Sequence, residues 1–292
     1  MSEDLDRSDP LSPTTGEVRS ADGTIIRYRR VGHGPAVILL HGAGQSSQNF
    51  SRLARDLAGS FTVYVPDRHG RGASGAHAEF HGLRTEIDDL NALLDTSGAR
   101  YLFGLSAGAV IAIEAARLRP DIVKLALYEP PLSFDGVIHG EWAARYAHEL
   151  DAGKPGAALA TVLKATADRT SLIRFVPRFL IGAPLNVVIE RMGDRPAPDG
   201  AMSPRELVET VRYDVQTVRD AAGPLERFAE LSCEVLLLGG SRSARNLTAS
   251  LDGLGRVLPG AKRAVIRGAG HTAPDNSRQP DRVAAELLAF FG

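Results

Sequence analysis

Cysteine occurs once in this 292-residue chain, at Cys233. A lone thiol excludes an intramolecular disulfide and a cysteine metal cluster, and it favours a cytoplasmic protein. An excess of one charge is missing too, since 34 Lys and Arg stand against 35 Asp and Glu, for a formal net charge of -1. With so little overall field, nucleic acid and anionic membrane are not expected as partners. No stretch approaches the ~18 consecutive apolar residues of a membrane-spanning helix. Residues 1–16 are acidic and rich in Ser, Thr and Pro, without the apolar centre that a signal peptide requires, and read as a disordered tail.

What is present is the composition of a globular protein, 43% hydrophobic and 24% charged. The length suits one large domain with an insertion. Short apolar runs alternate with helix-period segments. Two edge strands joined at Asp22-Gly23 are expected within residues 16–31, because Asp-Gly is a strong hairpin signal. Strands are expected at 36–40, 61–65, 100–103, 122–128, 235–238 and 261–266. Helices are expected at 46–57, 85–94, 107–118, 246–258 and 280–291. Continuous Val, Ile and Leu runs mark strands buried on both faces, hence a mostly parallel sheet of about eight strands flanked by helices, an α/β fold. The alternation stops at residues 132–231, where helical segments at 141–150, 157–167 and 206–220 surround Gly- and Pro-rich breaks. These read as a helical cap inserted into a core formed by 17–131 and 232–292.

The chemistry centres on Gly104-Leu105-Ser106-Ala107-Gly108. An apolar strand leads in and a small-residue helix leads out, the context of a nucleophile elbow. Serine needs a base to be a nucleophile at neutral pH, and the base needs an orienting group. His271, in a glycine-flanked loop after the last expected strand, is the candidate base. For the orienting group, residues 239–246 carry no carboxylate. Asp252 lies well along an expected helix, far from the sheet edge. Glu129 ends an apolar strand, where an unpaired carboxylate is costly and asks for a reason. Asn246 is a third option, through its amide.

These motifs together resemble the α/β-hydrolases with a cap domain, over nearly the whole chain after Gly16. The resemblance rests on His41-Gly42-Ala43-Gly44, Asp67-Arg68-His69-Gly70-Arg71-Gly72, the elbow, and Gly270-His271-Thr272. Leu127-Tyr128-Glu129 is similar to the placement of the acid in haloalkane dehalogenases, although the nucleophile here is Ser106 and halide displacement is not expected. The resemblance implies an oxyanion hole from the Ala43 and Ala107 amides, a structural role for His41, and scaffolding by Asp67, Arg71 and Ser74. It implies a cofactor-free and metal-free hydrolase of a small-molecule ester, thioester or lactone, working as a monomer or homodimer. Phe134, Trp142, Phe175 and Phe179 are candidates to line an apolar substrate pocket. A specialised carbon–carbon bond hydrolase, methylesterase or haloperoxidase-like enzyme, or a non-catalytic binding protein, are the other readings of the same fold.

Overall fold

The computed structural model describes residues 12–77, 81–135, 142–193 and 202–292. Its centre is an eight-stranded sheet in the order β1-β2-β4-β3-β5-β6-β7-β8. The strands are β1 (Thr14–Arg19), β2 (Ile25–Val31), β3 (Ala36–Leu40), β4 (Thr62–Pro66), β5 (Tyr101–Leu105), β6 (Lys124–Tyr128), β7 (Glu234–Gly240) and β8 (Lys262–Ile266). The β1–β2 and β2–β4 pairs are antiparallel, and the remaining pairs are parallel. The helices are α1 (Ser51–Leu57), α2 (Leu83–Ser97), α3 (Ala107–Leu118), α4 (Ala143–Asp151), α5 (Pro155–Ala165), α6 (Arg178–Gly193), α7 (Pro204–Asp220), α8 (Arg245–Val257) and α9 (Pro280–Phe291).

Alternate strand residues point to opposite faces, and both faces are covered. On one side Ile38, Leu40, Leu102, Leu125, Leu127 and Leu237 pack with residues of α2, α3 and α8. On the other, Val37, Leu39, Phe103, Ala126, Leu236 and Leu238 pack with residues of α1 and α9. This explains why the central strands are unbroken apolar runs rather than alternating ones. The result is a rigid platform whose strand ends carry the chemistry.

Between β6 and β7 the chain leaves the sheet and forms α4 to α7, with a small core of their own built from Ala143, Tyr146, Ala158, Ile189, Val208 and Val211. The chain then returns, and β7 pairs directly with β6. Three details differ from the expectation. The first strand begins at Thr14, inside the segment read as a tail, because residues 14–19 pair with β2. Helix α6 was not anticipated; Pro184 sits inside it and masks its periodicity. Val218, Ala221, Leu225 and Phe228 fall in the insertion by number but pack into the main core.

Candidate active site

Ser106 joins β5 to α3 with φ 54 and ψ -120, a conformation that non-glycine residues adopt only when the surroundings impose it. Ser106 N–H donates to Tyr128 O at 2.9 Å, which fixes the turn against β6. The flanking glycines are required by space. A Cβ at Gly104 would stand 2.5 Å from Ala109 Cα, and one at Gly108 would stand 2.5 Å from Leu40 O.

The hydroxyl faces His271, with Oγ 3.1 Å from Nε2. On the other side of the ring, Nδ1 lies 2.7 Å from Glu129 Oε2. Glu129 Oε1 accepts the Gly240 N–H at 2.7 Å. The carboxylate is fully buried, and Glu129 itself has φ 48. A buried carboxylate held by two donors is the arrangement that makes its burial tolerable. The loop carrying His271 is anchored as well, since Tyr128 Oη donates to Gly270 O at 2.8 Å. Burial first, and the neighbouring Glu129 charge second, raise the pKa of this phenol, so it stays protonated as the donor.

Two amides belong to residues that line the cavity at Ser106. Ala43 N–H and Ala107 N–H have no hydrogen-bond acceptor among the described residues, and both residues line the same cavity as Ser106 and His271. Ala107 opens α3, so its N–H also stands at the positive end of the helix. The amides on either side of Ala43 are occupied: Gly42 N–H donates to Gln45 Oε1 at 2.9 Å, and Gly44 N–H to Asp214 Oδ2 at 3.2 Å. His41 lies beneath this loop, fully buried, with Nδ1 3.0 Å from Gly42 O. Burial and the charges of Arg68 and Arg71 keep its pKa well below that of a free imidazole.

The other candidates separate cleanly. Asp252 is on the exposed side of α8, paired with Arg263 at 2.6 Å, and does not reach the histidine. Asn246 lines the cavity at the start of α8, but Glu129 occupies the Nδ1 side of His271, so the amide does not orient the ring. Trp142 lines the cavity. Phe134 does not; it is buried in the main core, close to Gly253. Phe175 and Phe179 are 82% and 71% exposed, because that part of the insertion turns them outward. Among the described residues, no group of His, Cys, Asp or Glu is arranged to hold a metal ion.

Two cavities meet at Ser106, of about 80 Å³ and 310 Å³. The smaller is lined by Trp142, Val215, Val218 and Leu247, the larger by Leu159, Leu163, Leu207 and Val208; Val162 and Val211 border both. The sequence reading missed most of these. The signal was there in the 3-4-3 spacing of Val208, Val211, Val215 and Val218, an apolar stripe along α7.

The alpha/beta hydrolase family model matches residues 37–286. The chain belongs to that family. An alpha/beta hydrolase from Sphaerobacter thermophilus superposes with a TM-score of 0.72 at 29% identity, covering 95% of this chain and 100% of that one. A thermophilic esterase from Thermogutta terrifontis gives 0.71 at 22% identity, over 95% and 98% of the two chains, a likeness of fold. Among curated proteins, an uncharacterized hydrolase of Bacillus subtilis, YraK, is 34% identical over 122 residues, covering 40% of this chain and 45% of that protein. The chain thus spans less than half of that relative's length. Among the described residues, no helix is long and apolar enough to cross a membrane.

Proposed function

We propose that this α/β-hydrolase is a serine esterase acting on a small organic ester, thioester or lactone through an acyl-enzyme. The observation that supports it is the hydrogen-bonded chain from Ser106 Oγ through His271 to the Glu129 carboxylate. In this reading His271 Nε2 takes the Ser106 proton as Oγ attacks the carbonyl carbon. The developing oxyanion is met by the free amides of Ala43 and Ala107. The imidazolium is stabilised by Glu129 and gives its proton to the leaving group; water then enters by the same route in reverse and releases the acid. Nucleophile, proton shuttle and oxyanion donors all come from the chain, so the reaction needs no cofactor. The apolar cavities suit a small substrate beneath a cap formed by α4 to α7. Proteins of this fold include esterases but also serve other reactions, and it is the Ser106, His271 and Glu129 side chains that favour ester hydrolysis here.

Labelling by a fluorophosphonate tests it. The wild type should label and turn over p-nitrophenyl butyrate, and Ser106→Ala should do neither. A wild type that fails to label, with the same slow turnover in both proteins, would favour a non-catalytic binding protein.

A further inference from the structure

Asp214 belongs to α7, in the inserted helices, yet its carboxylate reaches the loop that follows β3. Oδ2 accepts the Gly44 N–H at 3.2 Å and Arg71 Nη2 at 2.7 Å. Oδ1 accepts Arg68 Nη1 at 2.9 Å. The side chains of Asp214 and Arg68 are each 2% exposed, and that of Arg71 is wholly buried. Arg68 is held in turn by both oxygens of Glu86, at 3.0 and 2.5 Å. A carboxylate surrounded by buried guanidinium donors has one position open to it.

The geometry of the loop shows what that position does. Gln45 Oε1 pins the peptide between His41 and Gly42, through the Gly42 N–H. Asp214 pins the peptide between Ala43 and Gly44, through the Gly44 N–H. The peptide between these two carries the unpartnered Ala43 N–H, and its orientation follows from its neighbours on both sides. Gly44 sits at φ 63, a backbone state that a free loop would readily leave. Gln45 is local to the loop and is held by Asp275 at 2.9 Å. Asp214 comes from 170 residues away, on a helix of the insertion.

We propose that Asp214 is a positioning residue for the oxyanion loop, anchoring it to α7 so that Ala43 N–H stays aimed at the site. Seating of the inserted helices and completion of the oxyanion hole are then one event. The inference rests on the serine-hydrolase reading. Its competitor is that Asp214 only neutralises Arg68 and Arg71.

Two variants separate these, assayed with p-nitrophenyl butyrate and with an aliphatic trifluoromethyl ketone that forms a tetrahedral adduct on the serine. In Asp214→Leu all three donors, Arg68, Arg71 and the Gly44 N–H, lose their acceptor. We expect kcat to fall about 10- to 100-fold, a part of what loss of one oxyanion donor costs, with KM changed by less than about 3-fold. Affinity for the ketone should fall by the same factor as kcat. The double variant Asp214→Leu/Arg71→Met replaces a buried ion pair by apolar groups, a change that proteins often accept without loss of stability. It leaves the Gly44 N–H without an acceptor and should be as slow as Asp214→Leu. Recovery of wild-type kcat in the folded double variant, or an undiminished kcat in folded Asp214→Leu, overturns the proposal. If Ser106→Ala keeps its turnover, it is the serine-hydrolase reading that fails.

Discussion

Glu129 and Gly240 meet at 2.7 Å, the glutamate Oε1 accepting the glycine N–H at the end of β7. The second oxygen is thereby left for His271 Nδ1, at the same distance of 2.7 Å. The backbone of a strand, rather than another side chain, aims the carboxylate. Glutamine at position 129 has to place its NH2 group against one of two donors. Glu129→Gln is therefore expected to lower kcat by about 100-fold or more, measured on p-nitrophenyl butyrate. Asp252→Asn should stay within about 2-fold of wild type, since Asp252 is exposed and paired with Arg263. The opposite ranking would move the acid to α8.

The elbow leaves no room at Gly108, where a Cβ would stand 2.5 Å from Leu40 O and 2.6 Å from His41 O. Both are backbone atoms of β3 and the loop after it, and neither can move without disturbing the sheet. Gly108→Ala should destabilise the fold by about 2 kcal/mol or more in urea melts. An unchanged midpoint would mean that β3 yields more easily than its packing suggests.

Substrate length should respond to Val211, which borders both cavities. Val211→Phe narrows the junction while leaving Ser106, His271 and Glu129 in place. We expect kcat/KM for p-nitrophenyl octanoate to fall about 10-fold more than for the acetate. Equal losses for the two esters would place the acyl chain elsewhere.

Stability should decline on mild acidification. His41 is buried and neutral, so below about pH 6.5 the unfolded chain binds a proton that the folded state does not. His77 acts in the same direction, its pKa lowered to about 2 by burial and by the nearby Arg71. His69 opposes them: burial lowers its pKa, but the Asp89 contact more than offsets this, so its contribution is lost as pH rises through the folded value. Glu86 joins at lower pH. Burial raises its pKa, but Arg68 and His81 carry it well below 4.5, so its contribution is present above about pH 4.5 and lost as pH falls. Urea midpoints should drop between pH 7 and pH 5 and more steeply below about 4.5, with His41 alone contributing up to ~1.4 kcal/mol per pH unit. A flat profile would mean that His41 and His77 are protonated in the fold.

The sheet was legible because strands buried on both faces, such as Val37 to Leu40 and Leu125 to Tyr128, must be apolar throughout. Glu129 was legible for the opposite reason, since a carboxylate at the end of such a strand stands out. The insertion was harder to read, because helix faces there are chosen by neighbours the sequence does not name. Phe175 and Phe179 look like pocket residues by type and are turned outward. Residues 275–277 have capping chemistry, yet the N-cap of α9 is Gln279. Asp275 instead accepts from Gln45 and Asn49, at 2.9 and 2.7 Å, tying the far end of the chain to the loop after β3. The partners of Asp214 were invisible for the same reason of distance along the chain.

In the proposed mechanism, placing the acid just after β6 also sets which part of the site can adjust. Ser106 and Glu129 end adjacent strands in fixed register, Leu105 opposite Tyr128, and the Ser106 N–H bond to Tyr128 O ties them further. Neither can shift without the other, so the proposed nucleophile and acid behave as one machined part. His271, the proposed base, rides on a loop after β8, which the Tyr128 hydroxyl tethers at Gly270. Small adjustments to different leaving groups therefore fall to one imidazole turning between two fixed points.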